Sequence, residues 1–159
     1  METLTIYGNV NIIDDYSYEN NINDDDVYDI KDTGYIFRFA KNLVEREFIS
    51  QGMEEFFKKE YEKDGLASVN FELSREKNKS ILTMTFNKDI TDKRAKEIMD
   101  NVIGQYADGF GKNLANTPFY KDEDDEEVYD DEYDDYVNLN CEHEYYIVLY
   151  TEGYEYTLS

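Results

Sequence analysis

The apolar residues follow a helical spacing in the centre of the chain. In Ala40–Lys63 they recur every three to five residues and no proline interrupts them, which predicts a long helical segment. We expect Gly52 to divide or kink this segment and Asp64-Gly65 to end it. A second helix is predicted over Thr91–Ile103, with Thr91 as its N-cap, and we expect Gly104 to end it.

Alternation of apolar and polar residues predicts strands on both sides of these helices. Thr3–Ile13 alternates as far as a shift near Gly8 that is typical of a β-bulge. Val69–Leu73 and Ile81–Phe86 alternate around a polar connection, which predicts an antiparallel hairpin. Tyr35–Phe39 fits either a short strand or the start of a helix.

The last apolar stretches predict a second hairpin and complete the expected fold. Glu144–Tyr150 and Tyr154–Leu158 are joined at Glu152-Gly153, which is a turn signal. The predicted fold class is α+β, with an antiparallel sheet of about four to six strands and two helices on one face. We expect a single domain over residues 1–159. In it the acidic segments 14–32 and 122–136 would form surface loops or short helices, and the first also fits an irregular edge strand.

The composition favours a folded protein in a reducing compartment. Hydrophobic residues make up 40% of the 159 residues and aromatic residues 16%, which is too many for a disordered chain. No apolar stretch approaches the roughly 18 residues of a membrane span, and no signal-peptide pattern is present. We therefore expect a cytoplasmic protein with no membrane partner. The single cysteine, Cys141, excludes an internal disulfide.

The net charge of −22 is concentrated towards the two ends of the chain. Met1–Gly34 contributes −8, Tyr35–Lys121 contributes +1 and Asp122–Ser159 contributes −15. Because self-repulsion at this charge destabilises a compact state, the clustering suggests that the acids have a function. The densest cluster is Asp122–Tyr136, in which eleven carboxylates are interspersed with tyrosines.

This acidic cluster is the predicted partner-binding site. If Glu127–Val137 is helical, Tyr129, Tyr133 and Tyr136 form one stripe beside the carboxylates. A dense anionic surface can replace DNA phosphates in a basic groove, since Asp and Glu bind arginine bidentately. A solvated acidic loop is the alternative interpretation. The predicted partner-binding residues are Asp122, Glu123, Asp124, Asp125, Glu126, Glu127, Tyr129, Asp130, Asp131, Glu132, Tyr133, Asp134, Asp135, Tyr136 and, from the first acidic segment, Asp24, Asp25 and Asp26.

Metal binding is not predicted. Loops that start at Asp24 or Asp122 lack the glycine that an EF-hand needs at its sixth position. Cys141 and His143 supply two zinc ligands without a third nearby. The same two residues could alternate onto one face of a strand as a Cys-His nucleophile pair, an option that stays open.

Enzymatic activity and a cofactor are likewise not predicted. Gly104–Gly111 is rich in glycine but lacks the Lys-Ser/Thr of a phosphate-binding loop and follows a helix instead of preceding one. We expect it to be a structured turn that positions Tyr106 and Phe110. Among 38 acids, none stands out in an apolar setting as a catalytic carboxylate would.

The centre of the chain, Leu82–Gly111, resembles a group of largely uncharacterised proteins encoded on phages and conjugative elements of Gram-positive bacteria. In that group a hairpin and a helix lead into a segment like Gly-Gln-x-x-Asp-Gly-Trp-Gly. The corresponding segment here is Gly104-Gln105-Tyr106-Ala107-Asp108-Gly109-Phe110-Gly111, with Phe110 at the usual Trp position. The acidic insertion after Tyr120 is heavier than that pattern. The resemblance implies a mobile-element origin and assigns no functional residue.

In size, charge and aromatic content the chain also resembles small acidic inhibitors of CRISPR nucleases and restriction enzymes. By that analogy we expect a non-catalytic anti-defence protein that binds a host CRISPR effector nuclease and blocks its binding of PAM and duplex DNA. Such a protein contacts a basic nucleic-acid-binding protein and no nucleic acid itself. The alternatives are an anti-restriction DNA mimic, an acidic structural or accessory protein, and an acidic or cation-dependent hydrolase.

Overall fold

The computed structural model describes residues 2–14, 27–34, 36–119, 123–130, 135–140 and 145–159. It is an α+β fold, as predicted, with two main antiparallel sheets of four and three strands and a separate two-stranded ribbon. The strands are β1 (Glu2–Gly8), β2 (Val10–Asp14), β3 (Val27–Asp29), β4 (Leu66–Ser74), β5 (Lys79–Phe86), β6 (Glu123–Asp130), β7 (Asp135–Asn140), β8 (Tyr145–Leu149) and β9 (Glu155–Leu158). The helices are α1 (Ile36–Ser50), α2 (Met53–Glu60), α3 (Asp92–Gln105) and α4 (Gly111–Ala115), with short 3-10 turns at Ile30–Asp32 and Glu62–Asp64.

The four-stranded sheet, in the order β4-β5-β1-β9, has one apolar face. Its register places apolar residues of neighbouring strands in continuous rows, buried on β4, β5 and β1 and partly buried on β9, because alternate residues of a strand share a face. One row runs Phe71–Leu82–Ile6–Tyr156 and the next runs Val69–Met84–Leu4–Leu158. Helices α1 and α2 pack on β4 and helix α3 packs on β9, and their buried residues join the same core.

The predicted hairpin of β4 and β5 is confirmed, whereas the predicted C-terminal hairpin is wrong. Strand β8 pairs with β2 in the three-stranded sheet β3-β2-β8, and β9 pairs with β1 in the other sheet. The chain therefore passes between the sheets after β8, just as it does after β1. Asn9 holds the two passages together: the Tyr150 amide donates to the Asn9 carbonyl at 3.0 Å, and Asn9 Nδ2 donates to the Glu152 carbonyl at 3.3 Å.

The break predicted near Gly8 is therefore a change of sheet and not a bulge within one strand. Gly8 is buried at this point, and a Cβ atom there would lie 2.7 Å from the ring of Tyr154 and 2.8 Å from the hydroxyl of Ser80. The close approach requires a residue without a side chain.

The helix signals in the sequence are confirmed at most positions. Gly52, with φ of 66°, separates α1 from α2, and Gly65, with φ of 80°, stands at the end of the 3-10 turn that follows α2. The Arg94 amide donates to the hydroxyl of Thr91 at 3.1 Å, which is the predicted N-cap of α3. For the predicted strand or helix start at Tyr35–Phe39, the helix is found: α1 begins at Ile36, and Tyr35 lies outside the described residues.

The predicted end of the second helix at Gly104 is wrong. Helix α3 continues to Gln105, passes into a π-helical turn over Tyr106–Phe110, and leads directly into α4. Gly104 has right-handed helical backbone within α3. The helix continues past it because the next apolar residues, Tyr106 and Phe110, are buried in the core. Segment Gly104–Gly111 positions these two side chains as expected, but as part of a helix and not as a turn.

An aromatic cluster joins these elements. The ring of Phe110 lies 5.3 Å from Phe71 on β4 and 5.6 Å from Phe48 on α1, edge to face in both cases. Tyr106 lies 5.7 Å from Phe71 and 6.2 Å from Tyr154. Each edge-to-face pair stabilises the fold by about 0.5–1.5 kcal/mol beyond the burial of its two rings. The π-helical turn therefore holds α1, β4 and the C-terminal passage together.

We expect the buried tyrosines to make the fold sensitive to alkali. Burial raises the pKa of Tyr61 to about 12 and raises the pKa of Tyr106 and Tyr154 as well. In the unfolded chain these phenols ionise near pH 10. The stability that they hold is therefore complete below about pH 10 and is lost as the pH rises towards the folded-state values. The expected loss is about 1.4 kcal/mol per pH unit for each tyrosine that is still protonated in the fold.

Urea denaturation at pH values from about 8 to 12 measures this loss. The variant Tyr106→Phe is the control, because the hydroxyl of Tyr106 has no hydrogen-bond partner among the described residues and its removal leaves the packing intact. A variant whose alkaline loss equals that of the parent protein would show that Tyr106 does not contribute to it.

Candidate functional site: the acidic end of the three-stranded sheet

The structure describes the backbone of about half of the predicted partner-binding residues. Strand β6 contains Glu123, Asp124, Asp125, Glu126, Glu127, Tyr129 and Asp130, and strand β7 contains Asp135 and Tyr136. The others lie outside the described residues: Asp24, Asp25, Asp26, Asp122, Asp131, Glu132, Tyr133 and Asp134. Cys141 and His143 also lie outside them, so the possible Cys-His pair is not described.

The acidic run is a β-ribbon over its described residues, and the predicted loop or short helix is wrong there. Strands β6 and β7 pair antiparallel, with Val128 opposite Val137 and Tyr129 opposite Tyr136. The stripe expected for a helix over Glu127–Val137 is thus replaced by a cross-strand pair. Valine and tyrosine favour extended backbone. One Val–Val pair and one Tyr–Tyr pair across the two strands outweigh the helical spacing of the tyrosines.

The predicted acidic segment 122–136 lies within residues 120–144, which we call the second acidic segment. This stretch leaves and rejoins the fold at a single pair of residues. Phe119 precedes it and Tyr145 follows it, and these two residues form an isolated antiparallel bridge. Each amide donates to the other's carbonyl at 2.8 Å, and the two rings lie 6.0 Å apart. Both side chains are buried. The bridge therefore fixes both ends of the segment to the core.

Residues 15–26, the part of the predicted acidic segment 14–32 between β2 and β3, are called the first acidic segment. They are attached to the end of the three-stranded sheet at which Tyr145 begins β8. This segment follows Asp14 at the end of β2 and precedes Val27 at the start of β3, which pairs with Ile13. Asp14 is in turn the register partner of Tyr145 at the start of β8. The pairings place Val27, Asp14, Tyr145 and Phe119 on four neighbouring extended stretches, so the points where the chain enters and leaves the two segments lie within three strand spacings, about 14 Å. We call this region the acidic end of the sheet.

The two segments carry most of the charge of the protein. Residues 15–26 contain five acids and no base, and residues 120–144 contain thirteen acids and one lysine, so together they hold −17 of the net −22. The segments are about 100 residues apart in the sequence. Their acidity is evident from the sequence, but their shared attachment is not, because it depends on long-range pairings of Asp14, Phe119 and Tyr145 that no local pattern records. The only local indications of where the segments begin and end are the alternating strand before residue 14 and the apolar strand after residue 144.

Neither a metal site nor a membrane-spanning helix is found in the described part of the chain. Among the described residues, no group of three or more His, Cys, Asp or Glu residues is placed to hold a metal ion. The same part of the chain contains no helix long and apolar enough to cross a membrane. Comparison of the chain with protein-family models, with curated proteins and with solved structures finds no match.

Proposed function

We propose that this protein is a non-catalytic anti-defence inhibitor, encoded by a phage or mobile element, that acts in the host cytoplasm as an acidic mimic of DNA. The proposed target is a CRISPR effector nuclease, whose binding of PAM and duplex DNA it would block. The observation that supports this most strongly is the attachment of both acidic segments to one end of one sheet. If the acids served solubility alone, nothing would require segments so distant in sequence to be attached at the same end of one sheet.

The charge density of the ribbon is comparable with that of a nucleic acid. Every residue from Asp122 to Glu127 is acidic, and alternate residues of a strand lie about 6.6 Å apart on each face. Duplex DNA carries one phosphate per about 3.4 Å of axis on each strand. Two acidic segments attached within about 14 Å therefore produce a field similar to that of a short duplex, and this field attracts a groove lined with arginine and lysine.

The chemistry of the contact follows from the target. Arginines that read guanines in a PAM or grip phosphates also bind carboxylates bidentately. Bound counterions are released on both sides, so association should be fast and should weaken as salt increases. The tyrosines among the acids supply contact area at low entropic cost, because each has only two side-chain torsions.

The test is a DNA-binding titration. A guide-loaded CRISPR effector nuclease is mixed with a labelled duplex that carries its PAM, and this protein is added at about 50 and then about 200 mM salt. We expect stoichiometric loss of DNA binding at the lower salt and a weaker effect at the higher. Unchanged DNA binding would exclude this target, and the same titration would then be run with restriction enzymes. If those also bound DNA normally, the proposal would be wrong and an acidic accessory protein would be the better interpretation.

A further inference from the structure

A groove lies between helix α2 and the helical stretch that runs from α3 into the π-helical turn. Its volume is about 610 Å³. The side of the groove formed by α3 and the π-helical turn contains Gly104, Gln105, Asp108, Gly109 and Phe110, which are most of the Gly104–Gly111 segment. The remaining lining residues, from α2, its N-terminal approach and α3, are Gln51, Met53, Phe56, Glu60 and Asn101.

Two of the glycines in this segment have no structural reason to be glycine. A Cβ atom on Gly111 would lie 2.8 Å from the carbonyl oxygen of Tyr106, so that position requires glycine. A Cβ atom on Gly104 or Gly109 would meet nothing within 4 Å. Because glycine inside a helix is unfavourable relative to alanine, two unexplained glycines on one groove indicate that something approaches the backbone closely there. A π-helical turn at the same place is also typical of functional sites.

The polar groups of the groove favour a cation. Glu60 on one wall and Asp108 on the other both line it, and among its described lining residues none is Lys or Arg. Gln105, which also lines the groove, has its side chain beside the hydroxyl of Tyr61 and adds no charge to the groove. Phe56 is 47% exposed and can stack on a flat cationic group.

We infer that this groove is a docking site for an arginine-bearing segment of a protein partner. The guanidinium lies between Glu60 and Asp108, and the segment's backbone passes over Gly104 and Gly109. Lysine satisfies the same charges but not the planar contact with Phe56. The groove is built from other elements than the acidic end, so this inference does not depend on the proposed function.

Amide chemical shifts of the isotope-labelled full chain test the inference. The probe is the peptide acetyl-Gly-Arg-Gly-amide, and the reference probe carries citrulline, a neutral isostere, in place of arginine. We expect saturable shifts centred on residues 104–109 with the arginine peptide, and affinity at least tenfold lower with the citrulline peptide. The variant Gly104→Leu should abolish these shifts and keep the fold, because its Cβ atom enters open space.

Two comparisons separate the groove from general attraction to an acidic protein. Ala107→Leu places the same side chain on an exposed neighbouring residue that is not among the lining residues, and it should bind the peptide as the parent protein does. The paired variant Glu60→Gln and Asp108→Asn should weaken binding at least tenfold. Shifts that survive Gly104→Leu, or that are equal for arginine and citrulline, would overturn the inference.

Discussion

Reversal of four acids in the second acidic segment is expected to abolish inhibition of the target nuclease and leave the fold intact. The variant carries Asp130→Lys, Asp131→Lys, Asp134→Lys and Asp135→Lys. If each carboxylate makes one charged contact worth about 0.5–1 kcal/mol, loss of four contacts lowers affinity by about 30- to 1,000-fold. Repulsion between the new lysines and the basic groove lowers it further. The measurement is the concentration of variant that halves DNA binding by the nuclease.

The core should not respond to this change. Asp130 and Asp135 are opposite each other in the ribbon, and since both are reversed together the pair stays like-charged. The segment is joined to the body through the bridge of Phe119 and Tyr145, which the substitutions do not touch. Urea denaturation should therefore give a midpoint close to that of the parent protein.

A matched control distinguishes the position of the charge from its amount. Glu45, Glu55, Glu62 and Asp89 are exposed acids on the body of the fold. Their replacement by lysine changes the net charge by the same amount as the first variant. This control should inhibit almost as well as the parent protein. If both variants lose inhibition equally, net charge alone is responsible and a defined acidic surface is not. If the first variant still inhibits, the mimicry proposed for the ribbon is wrong.

The local features of this fold could be predicted because each depends on a short stretch of sequence. The helical spacing of apolar residues, the breaks at Gly52 and Gly65 and the N-cap at Thr91 need only their neighbours in the chain. The hairpin of β4 and β5 belongs to the same class, because its two strands face each other across a four-residue connection. The structure confirms all of these.

The features that the sequence missed depend on residues far apart in the chain. The turn signal at Gly153 is genuine, since its φ is 75°. The strands on either side of it do not pair with each other, however, because β8 pairs with β2 and β9 pairs with β1. Gly104 does not end α3 because the burial of Phe110 against β4 stabilises the continuing helix. The common attachment of the two acidic segments arises in the same way, from the pairing of β2 with β3 and β8. No local pattern records such pairings, so the candidate site could be predicted by its charge but not by its position.

Truncation of Phe110 is expected to cause the largest loss of stability of any single change considered. The side chain is 1% exposed and contacts Phe48, Phe71 and Tyr106, which lie on three different elements. Removal of a buried phenylalanine ring typically costs about 3–5 kcal/mol, from lost transfer energy and the cavity that remains. Since domains of this size are stable by about 5–15 kcal/mol, Phe110→Ala should remove a large part of the total. Urea denaturation of the variant and the parent protein measures the difference.

Phe56→Ala is the matched control, because it removes the same ring from a helix position that is 47% exposed. We expect it to cost less than about 1 kcal/mol, as is usual for exposed substitutions. The contrast tests the role of the π-helical turn, which brings Phe110 into the core where the sequence predicted a turn after Gly104. If Phe110→Ala costs no more than Phe56→Ala, the ring does not hold α1, β4 and the helical stretch together. A large loss for Phe110 alone means that this stretch is part of the core itself, so the groove beside it rests on a rigid wall.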